Sequence, residues 1–155
     1  MLLNKKKIIW LSLAMLLLLL TSVVVSKKIS PISLKFWGEI NNSAGVAVQG
    51  YDVVNYHVNN DAIKGKPEYQ VVWHNVKWNF ANEDNKQFFL QTPEKYAPQY
   101  GGYCSFAVSK GVTANSDAQV WLVKNSKLYL FMDGDVKAQW LQEEGVIASD
   151  RNWHN

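Results

Sequence analysis

The sequence predicts an α+β fold, in which one small domain of β-hairpins and short helices follows an N-terminal transmembrane helix. Three observations predict it: an uncharged apolar run over residues 8–25, two later segments that alternate apolar and polar side chains about short turns, and helix-capping residues behind each of those segments. The 155 residues suffice for one domain. The chain therefore divides into a membrane anchor or signal segment at 1–28, a tether at 29–45 and a domain at 46–155.

The N-terminal segment predicts a membrane anchor. Its apolar run is close to the ~20 residues that span a bilayer as a helix, and it is longer than the core of a secretory signal, which is roughly 7–15 residues. An uncleaved anchor is favoured, and the alternative is a cleaved signal with a secreted domain. Lys5, Lys6 and Lys7 precede the run, which indicates a cytoplasmic N-terminus. We expect a single-pass protein of a bacterial inner membrane, with its domain in the periplasm or otherwise outside the cytoplasm.

The charge of the chain argues against nucleic-acid binding. The net charge is +3, from 16 basic and 13 acidic residues. Residues 1–28 hold five of the basic residues and none of the acidic ones, which leaves 11 minus 13, or −2, for the remainder. The basic charge thus flanks the membrane segment, and no basic surface is left to recognise phosphates.

The first elements of the domain are predicted from alternation and capping. The stretch "GYDVVNYHV" at 50–58 has the appearance of a strand. Residues 69–73 and 76–80 alternate about a turn at His74-Asn75, which predicts a β-hairpin. A short helix then begins after the capping residue Asn82 and ends before Pro93, and "PEKYAPQY" adds a further turn of helix.

A second hairpin and helix complete the predicted domain. "VWLVKNSKLYLF" at 120–131 alternates about a turn at Asn125-Ser126. Asp133 or Asp135 caps a following helix, which Gly145 is expected to end. No internal repeat is evident after the anchor.

Signatures of catalysis are absent from the sequence, which has no phosphate-binding glycine loop, nucleophile elbow or zinc-binding histidine pair. No catalytic residue is assigned, and a non-enzymatic role is favoured. The only cysteine, Cys104, follows two glycines in "PQYGGYCSFA". Two interpretations stay open: a small buried hydrophobic side chain, or a functional thiol that binds a soft metal ion or takes part in redox chemistry.

Two stretches, "GYDVVNYH" and "WNFANEDNKQFFLQTPEKYAPQYGGYCSFAV", resemble the bacterial YHS-domain-containing proteins. The resemblance covers residues 48–114 and continues more weakly through the second hairpin and the final helix. It implies a treble-clef-like hairpin and helix, and the wider superfamily is regarded as a metal-binding module. In its metal-binding members, the corner between strand and helix carries two cysteines as Phe-Cys-x-x-x-Cys.

This chain departs from that pattern, because Ala81 and Asn85 stand where the two cysteines would be. Alanine has no ligand atom, and a neutral amide is a poor substitute for a thiolate toward a soft ion. A metal site would have to be rebuilt around Cys104, with copper or another soft transition-metal ion as the cofactor. The candidate ligands are Cys104, Asp52, Tyr51, Tyr56 and Tyr103.

Three functions are compatible with these residues. The first is a membrane-tethered domain of YHS type, outside the cytoplasm, that binds a transition metal around Cys104. The second is a non-catalytic interaction module with a vestigial metal site, whose aromatic surface meets an unidentified membrane-protein partner. In that case Asp52 merely caps a turn. The third is a thiol redox protein, which requires an exposed sulfur with a lowered pKa.

Overall fold

The computed structural model describes residues 5–34, 36–42 and 45–154, and it confirms a mixture of helices and strands. The helices are α1 (Lys5–Ser26), α2 (Val53–Val58), α3 (Glu83–Gln91), α4 (Pro93–Tyr96), α5 (Ser105–Ser109), α6 (Gly134–Gln142) and α7 (Gly145–His154). The strands are β1 (Ser30–Pro31), β2 (Lys66–Trp73), β3 (Val76–Phe80), β4 (Val112–Thr113), β5 (Asp117–Lys124) and β6 (Lys127–Phe131).

The strands of the described residues pair in two-stranded antiparallel sheets, β1 with β4, β2 with β3 and β5 with β6. Both predicted hairpins are confirmed, together with their turns at His74-Asn75 and Asn125-Ser126. All four turn residues have positive φ, between 50° and 61°. Such turns match the right-handed twist of the strands that they connect. The capping prediction is also confirmed, because Asn82 and Asp133 accept hydrogen bonds from the third residue beyond them.

Two predicted elements are wrong. The stretch at 50–58 is not a strand, because the Asp52 carboxylate caps a helix that begins at Val53. Gly145 does not end α6 but begins α7, which the sequence analysis missed. A Cβ at Gly145 would overlap the indole ring of Trp140, so the absence of a side chain lets α7 pack close to α6.

The domain contains an internal repeat, contrary to expectation. Strand β5 begins 51 residues after β2 (66 to 117), and the following strand and helix keep the same offset (76 to 127, and 83 to 134). Both hairpins also have an irregularity of register at the corresponding place, after Lys66 and after Asp117. We call β2–β3–α3 and β5–β6–α6, each with the turn and short helix before it, the first and second repeats.

The repeats bury equivalent aromatic side chains. Phe89 of α3 lies 5.2 Å from the Trp78 ring and 5.0 Å from the Phe80 ring, measured between centroids. Its counterpart, Trp140 of α6, lies 5.0 Å from Tyr129 and 5.2 Å from Phe131. All six side chains are buried, and those of the first repeat belong to one hydrophobic cluster and those of the second to another. Each helix thus holds its own hairpin through the same ring positions.

The repeats also begin alike. Short 3₁₀ turns at Ala47–Gly50 and Gln99–Gly102 each contain two left-handed residues in succession, Val48 and Gln49 in the first and Tyr100 and Gly101 in the second. A glycine with φ near +80° closes each turn. A tyrosine and a helix-capping position follow in both repeats.

Helix α1 is long and apolar enough to span a membrane. It has 22 residues and a mean hydropathy of 2.7 over its most apolar 18-residue window, and none of that window is buried against the rest of the chain. In water, a helix with no buried side chain would expose its whole apolar surface. In a bilayer, lipid tails would cover that surface.

The segment that we expected to be a tether packs against the domain. Strand β1 pairs with β4, and Ile32 is buried in the second hydrophobic cluster. The side-chain amide of Asn115 donates to the carbonyl oxygen of Ser26 at 3.0 Å, and the Thr113 hydroxyl donates to that of Lys28 at 2.9 Å. The domain is therefore hydrogen-bonded to the chain directly where α1 ends. Residues 35, 43 and 44 of this segment lie outside the described residues.

The hydrogen bonds at this junction should slow proteolysis where α1 ends. We expect the double substitution Thr113→Val and Asn115→Ala to speed tryptic cleavage after Lys27 and Lys28 by about thirtyfold, because each of the two lost hydrogen bonds contributes about 1 kcal/mol to holding the segment closed. The measurement is the cleavage rate of the full chain in lipid nanodiscs. Thr92→Val, an exposed substitution away from the junction, is the control and should leave the rate unchanged. An equal rate in all three proteins would contradict the docked junction.

Candidate functional site

Asp52 is buried, with 0% of its surface exposed, and its carboxylate is saturated with hydrogen bonds. One oxygen, Oδ1, accepts from the backbone N–H groups of Val54 at 2.9 Å and Asn55 at 3.2 Å, which caps α2. The other, Oδ2, accepts from the backbone N–H of Ala81 at 2.8 Å and from the side-chain amide of Asn85 at 2.7 Å. Such bonds to a buried carboxylate are worth more than neutral ones.

These bonds join α2 to the corner between β3 and α3. Ala81 and Asn85 are the two positions at which the resemblance would have placed metal-binding cysteines. Here both positions donate to one carboxylate oxygen, so the corner is closed by hydrogen bonds. We call this arrangement of Asp52, Ala81 and Asn85 the carboxylate clasp.

Cys104 is wholly buried at the start of α5. Its backbone N–H donates to the carbonyl oxygen of Ala114 at 2.9 Å, and its thiol makes no capping hydrogen bond. Burial raises the pKa of the thiol, and this effect outweighs the backbone N–H groups of Ala107, Met132 and Phe106, which lower the pKa. A thiol redox function needs an exposed sulfur of lowered pKa, and Cys104 has neither property.

The three candidate tyrosines are committed to other contacts. The Tyr56 hydroxyl donates to the Ala118 carbonyl oxygen at 2.7 Å, and burial raises its pKa. The Tyr103 hydroxyl lies 3.1 Å from the carbonyl oxygens of both Trp37 and Gly38, and burial raises its pKa to about 12. The ring of Tyr51 lies 4.3 Å below the Lys64 ammonium group. The phenols of Tyr56 and Tyr103 are held protonated, which makes them poor metal ligands.

The candidate ligands do not form one group. Tyr51 and Tyr56 lie in or against the first hydrophobic cluster, whereas Tyr103 and Cys104 belong to the second. Over the described part of the chain, no set of three or more His, Cys, Asp or Glu side chains could hold a metal ion. Metal binding around Cys104 therefore stays a prediction, without a ligand cluster among these side chains to support it.

The structure adds a groove that the sequence analysis missed. Its volume is about 510 Å³, within the range of small-molecule sites. Its lining includes Trp73 and His74 from the tip of the first hairpin, together with Tyr100 and Trp153. Among the described residues that line it, Glu39 and Glu94 have acidic side chains, and none is a lysine or arginine.

The groove depends on a close approach of two chain segments. The backbone N–H of Asn41 donates to the Gly101 carbonyl oxygen at 2.8 Å, and a Cβ at Gly101 would overlap the carbonyl oxygen of Glu39. Tyr100 donates to the Asp150 carboxylate at 2.8 Å, and its ring centroid lies 6.0 Å from that of Trp153. The two adjacent glycines and the tryptophan-rich domain were visible in the sequence, but nothing there indicated that they share a surface.

Comparisons with known proteins found no match to this chain. The description of Ala81, Asn85 and Cys104 therefore rests only on the geometry of this structure. The resemblance to YHS-domain proteins stays a prediction from the quoted residues. The chain matches no protein-family model, no curated protein and no solved structure.

Proposed function

We propose that the chain is a membrane-anchored, non-catalytic binding module on a YHS-type, treble-clef-like scaffold whose metal site has been replaced by the carboxylate clasp. The observation that carries this proposal is the pair of hydrogen bonds from Ala81 and Asn85 to Asp52 Oδ2, at 2.8 and 2.7 Å. A metal-binding corner needs deprotonated ligand atoms at both positions. Here the backbone N–H of Ala81 and the side-chain amide of Asn85 donate to Asp52, and neither side chain can be deprotonated to a ligand anion.

The binding surface in this proposal is the aromatic groove. Trp73 and Trp153 are partly exposed and supply large, rigid rings around a concave surface, while Tyr100 lines the groove as a buried side chain. Part of the groove wall, residues 38–40, lies between the anchor and the domain. A ligand in the groove would thus contact the chain segment that emerges from the membrane.

The proposed location follows from the lysines at the start of α1. Lys5, Lys6 and Lys7 favour a cytoplasmic N-terminus, which puts the domain outside the cytoplasm of a bacterial cell. There the domain would meet soluble ligands or the outer parts of another membrane protein.

A metal-retention experiment tests the proposal. The full chain in detergent micelles is titrated anaerobically with Cu(I) and Zn(II) and desalted, and the bound metal is counted, with Cys104→Ser treated in parallel. We expect neither protein to retain metal. Stoichiometric binding by the native chain that is lost in Cys104→Ser would overturn the proposal and establish a metal site at the thiol.

A further inference from the structure

The aromatic groove combines tryptophan rings with acidic side chains. Trp73 and Trp153 are partly exposed and line it together with Glu39 and Glu94, which are exposed. The face of an aromatic ring has a partial negative charge, and an ionised carboxylate has a full one. Both kinds of side chain therefore attract the same kind of ligand, one with a positive charge.

The lysine closest to Glu94 in the chain is directed elsewhere. The ammonium group of Lys95 lies 4.8 Å from the ring centroid of Tyr96 and donates to the Tyr96 hydroxyl at 3.2 Å. Lys95 does not line the groove, and no ion pair of Glu94 is found in the part of the chain that the structure describes. The Glu94 carboxylate is thus available to a cationic ligand.

A further carboxylate lies next to the groove. The hydroxyl of Tyr100, which is buried but lines the groove, donates to the Asp150 carboxylate at 2.8 Å. A hydrogen bond to a charged acceptor polarises its donor, which moves electron density toward the phenol ring. The same bond brings a negative charge close to a ring that the ligand would meet. Tyr100 and Asp150 therefore add to the attraction for a cation.

Two histidines complete the titratable side chains of the described lining. His74 and His154 are both exposed. A histidine side chain is ordinarily neutral at about pH 8, so the lining then has acidic groups and no basic group to oppose a cation. A ligand with a carboxylate or phosphate group would be repelled there, and a neutral ligand would gain nothing from Glu94.

We propose that the groove binds a small organic cation with an alkylated or quaternary ammonium group, whose charge faces the rings of Trp73 and Trp153 and pairs with Glu94. Such a group is weakly hydrated and can lie directly against an aromatic face. The groove volume of about 510 Å³ suits a ligand of this size. This inference rests on the proposed function, because it names the class of ligand for the binding surface proposed there.

The first test compares two probes of the same shape. Choline has a trimethylammonium group, and neohexanol has a neutral tert-butyl group in its place. Each is titrated at about pH 8 into the full chain in maltoside micelles, with protein-free micelles as the blank. Binding is followed by nuclear magnetic resonance, as saturation transfer from the aromatic protons of the protein, which the detergent lacks. We expect a Kd for choline about tenfold lower than that for neohexanol.

The second test removes one charge inside the groove or one outside it. Glu94→Gln keeps the shape of the side chain, and Glu68→Gln makes the same change at an exposed position of β2 that does not line the groove. We expect Glu94→Gln to raise the Kd for choline about three- to fivefold and to leave that for neohexanol unchanged. Glu68→Gln should change neither. Near-ultraviolet circular dichroism checks that both variants are folded.

The cation could come from solution or from a lipid headgroup, and the choline titration in phosphatidylcholine nanodiscs distinguishes the two sources. A Kd equal to that in micelles indicates a soluble ligand, and a higher Kd indicates that headgroups compete for the groove. Either result supports the cation site, provided that empty nanodiscs give no signal.

The contrary outcomes separate this inference from the proposed function. Equal affinities for choline and neohexanol, or equal effects of Glu94→Gln and Glu68→Gln, would overturn the preference for a cation and leave the groove as the binding surface. No saturation transfer to either probe would overturn the small-ligand site itself. The replacement of the metal site by the carboxylate clasp is decided separately, by metal retention.

Discussion

Replacing Asp52 with alanine should lower the free energy of unfolding by about 3–5 kcal/mol, which makes it one of the two most damaging substitutions that we expect. The change leaves the buried donors at Val54, Asn55 and Ala81 without their acceptor and also frees the Asn85 amide. Because the clasp joins α2 to the β3–α3 corner, α2 loses its cap and also loses its hydrogen bonds to the corner. The measurement is thermal unfolding of the full chain in detergent, followed by near-ultraviolet circular dichroism.

Two further variants serve as comparisons for Asp52→Ala. Asp52→Asn keeps one acceptor oxygen, so it should cost about 1–3 kcal/mol, less than alanine. Asp61→Ala removes an exposed carboxylate from the same region and should change stability by no more than about 0.5 kcal/mol. If Asp52→Ala were as mild as Asp61→Ala, the clasp would not be holding the corner.

Gly101→Ala should cost about 2–4 kcal/mol, because it combines an unfavourable backbone conformation with a backbone overlap. The φ of Gly101 is +61°, and an added Cβ would overlap the Glu39 carbonyl oxygen, which belongs to a chain segment and cannot rotate away as a side chain could. We expect the segment around residues 38–41 to move off the domain, breaking the bond from the Asn41 N–H. Thermal unfolding measures the loss.

A second glycine provides the control for this substitution. Gly134, at the start of α6, has an ordinary φ and open space in the direction that a side chain would take. Gly134→Ala should therefore leave the melting temperature unchanged or raise it slightly, since alanine favours a helix. Equal melting temperatures for the two alanine variants would contradict the close approach at Gly101.

Local sequence signals were sufficient to predict the hairpins and the helices α1, α3 and α6, but not α7. Alternation of apolar side chains located β2 with β3 and β5 with β6, and Asn82 and Asp133 located the starts of α3 and α6. These elements are determined by neighbouring residues, through turn conformation and capping. Prediction from neighbours therefore worked for them.

Other features depend on contacts between distant residues. Helix α2 has only six residues, and its apolar and β-branched composition is typical of a strand, so its start depends on the buried Asp52 carboxylate and its distant donors. The repeat escaped notice because aligning residues 66–91 with 117–142 gives only six identical pairs. They are Val72/Val123, Phe80/Phe131, Asp84/Asp135, Lys86/Lys137, Leu90/Leu141 and Gln91/Gln142. Similar packing with different side chains, such as Phe89 and Trp140, leaves little trace in the sequence.

The candidate site was predicted only in part. The absence of ligand atoms at Ala81 was evident from the sequence, and so was the capping alternative for Asp52, which the structure confirms. The carboxylate clasp required the fold, because the donors to Asp52 come from α2 and from the β3–α3 corner, which are far apart in the chain. The groove at Trp73 and Trp153 likewise joins the first hairpin to the last helix.

The central claim is that the carboxylate clasp occupies the corner that a YHS-type module uses for metal. The most direct test introduces cysteines at both positions, Ala81→Cys with Asn85→Cys, in the full chain, and counts Zn(II) retained after desalting. We predict one equivalent in the double variant and none in the native chain, with intermediate or weak retention in either single variant. A native chain that retains zinc, or a folded double variant that retains none, would contradict the claim.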